Sequence, residues 1–443
     1  MGTGRKFLIK DGILLGVGPG FNVVERGWVL VEDGVISKVG EGEPERCGDA
    51  EPVDARGSVV MPGLINAHTH VAMSVLRGHG ADLGLQDWLE KAIWPLEAKM
   101  SREDVYWGAL LSTCEMALGG TTAFADMYFY MEEVAKAATH VGIRAALCQG
   151  MVGKKKADWW RTLFATRRLW KGWHGAAAGN ITVGVGPHAV YTCPPPWLER
   201  AIQIAARLDT FVHIHLSETR REVEDCVRRY RATPVELFLS RGGSQVRTLA
   251  AHCVHLTERD ISMLANAGQL SVAHCPWSNL YLGSGIAPVV ELLEAGARVC
   301  LGTDGPASSS LSMFETMKLC ALLQKGKRRD AAAITGAQVL EMATWQGAVA
   351  LGLNCGKLEP GREADVVLVE ADGPYIRGTN SAYSALVYGG TDQAVRAVMV
   401  RGEWVVWDRR LLGLEKLDLN LDRVKQEVSQ RARRLGAPAL TDT

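Results

Sequence analysis

Two histidines one residue apart, His68 and His70, end the run "PGLINAHTH". Side chains alternate across a strand, so at this spacing both imidazoles share a face, about one pleat apart. Neutral imidazole binds Zn²⁺ and related ions at about 2.0–2.1 Å; the bland alternative is a pair of half-exposed histidines at a frayed strand end. Other polar residues close comparable runs: Asp126, Gln149, His188, His215 with Glu218, His252, His274 and Asp304. Histidine is only moderately buried on average and aspartate rarely without a partner, so packing does not explain apolar runs that repeatedly finish this way. Three imidazoles and one carboxylate, His68, His70, His215 and Asp304, form an N/O set suited to Zn²⁺ or Fe²⁺ with room for water. His213 shares the parity of His215. His215 lies nearer the strand end and Glu218 and is taken as the ligand, with His213 as a structural histidine. His252 and His274 read as further ligands or acid–base groups, and His274 equally as a wall residue. Asp126 reads as a strand-end hydrogen-bonding partner or a catalytic group, and His255 as a loop residue.

Those residues need elements to hold them. From Met61 onward, eight apolar runs alternate with amphipathic stretches: "GLINAHTH", "TTAFADM", "RAALCQG", "ITVGVGPH", "FVHIHLSE", "RTLAAHC", "QLSVAHC" and "RVCLGTD". Helices fit between them. In "SREDVYWGALLSTCEMALGG", Ser101 suits an N-cap, Asp104 the capping-box position and Gly119 the end. Strands alternating with helices make parallel crossover units, which predicts an α/β fold with a (β/α)₈ TIM-type barrel over residues 61–355. The C-terminal strand ends of such a barrel form the active-site rim, where the polar residues above fall. Val-rich runs broken by Asp-Gly and Gly-Glu turns flank it in residues 1–60 and 356–443. They predict a small β-sandwich domain built from both chain ends, with "LDRVKQEVSQRARRLG" as a charged terminal helix.

Composition narrows the function classes. The 443 residues are 47% apolar and 22% charged, enough for a large core. A formal net charge of zero argues against nucleic acid as the partner, because a phosphate backbone demands a basic surface. The basic run "GKKKADWWRTLFATRRLW" reads as a helix with one solvated cationic face. The opening residues lack an uninterrupted hydrophobic segment, which predicts no signal peptide and no membrane span. Ten scattered cysteines without a CxxC pair read as small buried hydrophobes in a reducing compartment, the cytoplasm.

With these residues in hand, the chain resembles the amidohydrolase superfamily. Within it, the chain is similar to the 5′-methylthioadenosine/S-adenosylhomocysteine deaminases. "PGLINAHTHVAMSVLRG", "HIHLSETRREVEDC", "LAAHCVHLT" and "LGTDGPAS" carry the superfamily likeness; "LQDWLEKAIWPLEAKM" and "GPHAVYTC" point to this branch. The resemblance implies one divalent metal ion per subunit, Zn²⁺ or Fe²⁺, on His68, His70, His215 and Asp304. It implies substrate contacts at Glu97, His188, Glu218 and Asp304, and catalytic roles for Glu218, His252 and Asp304. Spacing alone would leave Glu97 a helix-surface carboxylate. The implied reaction is hydrolytic removal of the 6-amino group of a small nucleoside, by a homo-oligomer of two or four subunits. A guanine-type deaminase and an s-triazine chlorohydrolase are the enzymatic alternatives, and a non-catalytic scaffold is disfavoured by the intact ligand set. The HxE…PCxxC pattern of nucleic-acid-editing deaminases is missing. Departures bear on the substrate. Gln149 stands where relatives carry an arginine that holds the sugar and tail, leaving Lys154 or Arg161 as substitutes. "AHCPWSNLYL" places Cys275, Trp277 and Tyr281 in or near the pocket, and Ser308 to Ser310 replace an Asn-rich run.

Overall fold

Eight short runs of Val, Ile, Leu and Ala, buried on both faces, do form parallel strands, as expected where helices cover a parallel sheet. In the computed structural model, which describes residues 4–44, 47–153, 155–371 and 381–436, five strands precede them: β1 (Lys6–Val17), β2 (Asn22–Glu32), β3 (Val35–Glu41), β4 (Glu51–Asp54) and β5 (Ser58–Pro62). The parallel set is β6 (Leu64–Thr69), β7 (Thr121–Tyr128), β8 (Arg144–Met151), β9 (Ile181–Pro187), β10 (Val212–Leu216), β11 (Thr248–His252), β12 (Leu270–His274) and β13 (Arg298–Leu301), adjacent in chain order. The barrel seam between β13 and β6 is drawn together by Asp304 N–H donating to His68 O at 2.9 Å and Thr303 N–H to Asn66 Oδ1 at 3.0 Å.

The connecting helices follow their sequence signals. Ser101 and Asp104 form a reciprocal capping box at the start of the Arg102–Leu118 helix, which Gly119 ends. The basic run is the Lys156–Trp173 helix, with Trp159, Thr162, Thr166 and Leu169 buried and Arg161 and Arg168 largely exposed. Among the described residues no helix is long and apolar enough to cross a membrane. Nine of the ten cysteines are buried.

The remaining strands, β14 (Val366–Glu370), β15 (Val395–Val400), β16 (Glu403–Trp407) and β17 (Arg410–Leu411), join the first five in one nine-stranded mixed sheet. The antiparallel β5–β14 pair joins the two chain ends, and the sheet surrounds its own core of Ile9, Val29, Val60, Val366 and Met399. One buried cation ties sheet to barrel: Arg144 at the base of β8 donates to both Asp365 oxygens at 2.8 Å and pairs with Glu363 at 3.0 Å. The terminal helix, Leu421–Leu435, turns Val424, Val428 and Leu435 inward, and its Arg434 pairs with Asp104 of the barrel helix.

Candidate metal centre

The strand ends that carry the polar residues are not ordinary backbone. Ser217 (φ 52°), His252 (φ 75°), Cys253 (φ 47°) and Asp304 (φ 67°) are all left-handed. Each such residue costs on the order of 1–3 kcal/mol, a cost that clusters at functional sites. On β6 the pairing with β7 runs Asn66↔Phe124 and then Thr69↔Asp126, one residue longer on the β6 side. That bulge re-aims the strand end where His68 lies. A Cβ on Gly302 would stand 2.8 Å from the His68 backbone nitrogen, so only glycine lets β13 end this close.

Three imidazoles converge through the same ring atom. His70 Nδ1 lies 2.6 Å from Met127 O and His215 Nδ1 lies 2.8 Å from His188 O. A carbonyl only accepts, so both rings carry their proton on Nδ1. Burial lowers both pKa values, so neither ring holds a second proton. Their Nε2 atoms are therefore both lone pairs, and they face each other at 3.3 Å. Asp304 Oδ1 lies 3.3 Å from His70 Nε2 and 3.4 Å from His68 Nε2. Burial opposes charge on Asp304, but the surrounding His68, His70 and His252 hold its carboxyl well below the usual range. Burial also brings His68 down to about 4, against the pull of Asp304, and leaves it neutral. Facing lone pairs around a carboxylate repel unless a cation lies among them. A tetrahedral ion with arms of about 2.0–2.1 Å sets its ligands about 3.3–3.4 Å apart, which fits these separations. The donor set fits a divalent metal.

A second group borders the first. Burial raises the Glu218 pKa, partly offset by His252, so its carboxyl is biased toward holding a proton. Ser284 Oγ donates to Glu218 Oε1 at 3.4 Å, and His252 Nε2 lies 3.7 Å from Oε2. Glu222 accepts the backbone N–H of Glu218 at 2.7 Å and of Ser217 at 3.2 Å, which holds the strained turn. His252 Nδ1 lies 2.9 Å from Asn279 Oδ1.

Of these groups, His70, His215, Glu218, His252 and Asp304 line one cavity together with His188, Glu97 and Tyr128. His188 is half-buried by exposure, and desolvation together with His70 and His68 brings its pKa down to about 3. Glu97 is pushed up to about 7 by burial, against the Tyr128 hydroxyl donating to it at 2.6 Å. The structure thus brings together His68, His70, His188, His215, Glu218, His252, Asp304 and Glu97. Tyr128, Asn279 and Glu222 were missed. Tyr128 stands two residues beyond Asp126 at the end of β7, the one local signal for it; Asn279 and Glu222 sit on helices with none.

The remaining residues lie around this cluster or beyond it. His213 is not apart from the cluster: its Nε2 is 2.8 Å from His68 Nδ1. Asp126 accepts the Val71 N–H at 2.7 Å, and burial raises it to about 8, the partner rather than the catalytic reading. His255 Nε2 bonds Ser284 O at 2.7 Å in the following loop. His274 is buried but does not line the cavity. Nor do Cys275, Trp277 and Tyr281; of that segment only Leu282 lines the cavity. Gln149 and Arg161 line an adjoining cleft that shares Trp94, Glu97 and Phe129 with the cavity, and Lys154 lies outside the described residues.

The Amidohydrolase family model matches residues 59–405. A 5-methylthioadenosine/S-adenosylhomocysteine deaminase of Moorella thermoacetica is 45% identical, covering 90% of this chain and 93% of its own. The protein of that name from Caldanaerobacter subterraneus subsp. tengcongensis is 43% identical, covering 93% and 95%. Among solved structures, an adenosine deaminase from Xanthomonas campestris with bound zinc superposes with a TM-score of 0.91 at 33% identity, covering 97% of this chain and 98% of that one.

Proposed function

The chain belongs to the amidohydrolase family and is a hydrolase of carbon–nitrogen bonds, and from that premise we propose that it releases the 6-amino group of an adenosine-type nucleoside as ammonia. The substrates are 5′-methylthioadenosine, giving 5′-methylthioinosine, and S-adenosylhomocysteine, giving S-inosylhomocysteine, with adenosine itself a third candidate. One observation carries the reading: the lone pairs of His70 and His215 meet Asp304 and His68 beside a buried Glu218 with a raised pKa.

His68, His70, His215 and Asp304 would hold one zinc ion. Bound there, a divalent ion lowers the pKa of water from 15.7 toward about 7 and so supplies hydroxide at neutral pH. The chain's own groups do the rest. Asp304 and His252 accept the proton of the water that attacks purine C6. Glu218 delivers its carboxyl proton to ring N1, where negative charge would otherwise build. Asp304 then returns the water's proton to the amine, the C6–N bond breaks with release of ammonia, and Glu218 regains its proton from the C6 hydroxyl as the carbonyl forms. Glu97 accepts hydrogen bonds from the ribose hydroxyls, and His188 holds the sugar side.

The test is a substrate panel followed by ultraviolet absorbance and ammonia release: adenosine, methylthioadenosine and adenosylhomocysteine against guanine and a chlorotriazine. Turnover of a 6-aminopurine nucleoside is expected. Turnover confined to guanine or the triazine overturns the reading. His68→Ala should lose both bound metal and turnover, and full activity without metal refutes the metal centre.

A further inference from the structure

Each ligating imidazole needs its outer nitrogen held so that Nε2 faces inward as a lone pair. For His70 and His215 a backbone carbonyl does this, and a carbonyl can only accept. His68 differs. Its Nδ1 meets the Nε2 of a second imidazole, His213, at 2.8 Å, and an imidazole either donates or accepts. His213 is fully buried one layer beneath His215 on β10, and its other nitrogen, Nδ1, has no hydrogen-bond partner among the described residues. A buried imidazole with one nitrogen unpaired is costly for packing alone, whereas replacing it with leucine would strip the buried His68 Nδ1 of its partner. Among the described residues, its one side-chain hydrogen bond goes to His68.

We infer that His213 is a positioning residue that accepts the His68 Nδ1 proton, and so fixes the tautomer and orientation in which His68 Nε2 can bind metal. With the roles reversed, His213 Nε2–H would donate and the His68 proton would sit on Nε2, directed at Asp304 and blocking the ion. The inference rests on His68 being a ligand, and its test separates the two.

Zinc affinity is measured by chelator competition on the full chain for wild type, His213→Leu and His213→Gln, with zinc content of wild type as the control. Wild type that binds no zinc fails the metal-centre reading. If wild type binds, His213→Leu should bind about 10–100-fold more weakly, the usual cost of losing such an outer partner. His213→Gln, whose amide oxygen still accepts, should stay within about threefold of wild type. Leucine binding as tightly as wild type overturns the inference. So does glutamine as weak as leucine, because the loss would then follow shape and not the acceptor. Should either variant fail to fold, ¹⁵N-histidine spectra of zinc-loaded wild type decide. A proton on His68 Nδ1 and on His213 Nδ1 is expected, and one on His213 Nε2 overturns it.

Discussion

The tripeptide Ala-His-Cys closes two neighbouring strands, as Ala251–Cys253 on β11 and Ala273–Cys275 on β12. In both, the alanine is fully buried, and the residue before it, Ala250 or Val272, packs in the large core shared with the helices. Alternation would therefore send both histidines outward. His274 obeys. Its ring leaves the cavity, and both of its nitrogens are buried without a hydrogen-bond partner among the described residues. His252 does not obey. Backbone φ values of 75° and 47° at His252 and Cys253 break the alternation, and its ring lines the cavity, held by Asn279. Equal local sequence yields one histidine that lines the cavity and one buried outside it, and the difference lies in the left-handed backbone at His252 and Cys253.

The comparison can be broken by activity first. His252→Ala should lower kcat/KM by about 10²–10⁴, the usual worth of a placed acid–base group, while His274→Leu stays within about threefold of wild type in the same assay. Equal losses would erase the distinction. Glu218→Gln should lose a similar factor while its zinc content matches wild type, since Glu218 faces His252 and not the converging lone pairs. Asn279→Ala sharpens the account of why His252 stays inward. It should cost about 10–100-fold in kcat with KM little changed, and no change would remove Asn279 as its anchor.

The smallest effect concerns pH. Burial, with His252 and Lys327, lowers the His274 pKa from 6.5 to about 3. A folded value below the unfolded one means that this ring adds stability above about pH 6.5 and loses it as pH falls toward 3. His274→Leu should therefore unfold at lower pH than wild type while matching it near neutrality, as followed by circular dichroism across an acid titration. An unchanged acid midpoint would mean that the ring is solvated.

Much was legible before any coordinates. The eight apolar runs became the eight barrel strands, because continuous burial in a parallel sheet writes itself as continuous Val, Ile and Ala. Ser101, Asp104 and Gly119 marked a helix because caps act within one turn. His68, His70, His215 and Asp304 stood out because strand ends rarely finish in such residues for packing alone. Glu97 entered only through resemblance. Its approach to Tyr128 joins a short helix to a strand end 31 residues away, beyond any local pattern. The partner of His213 was hidden for the same reason: parity placed it with His215 but did not show that His68, 145 residues earlier, lies against it.

Sequence alone determined the strand and helix order, the neutral surface charge and the kinds of donor atoms at the rim, since each depends on residues adjacent in the chain. Tertiary structure decided which nitrogen of each ring faces inward, which of two Ala-His-Cys endings enters the cavity and which carboxyl is raised by burial. Those choices depend on partners brought together only when β13 closes against β6, where distance in space no longer follows distance along the chain.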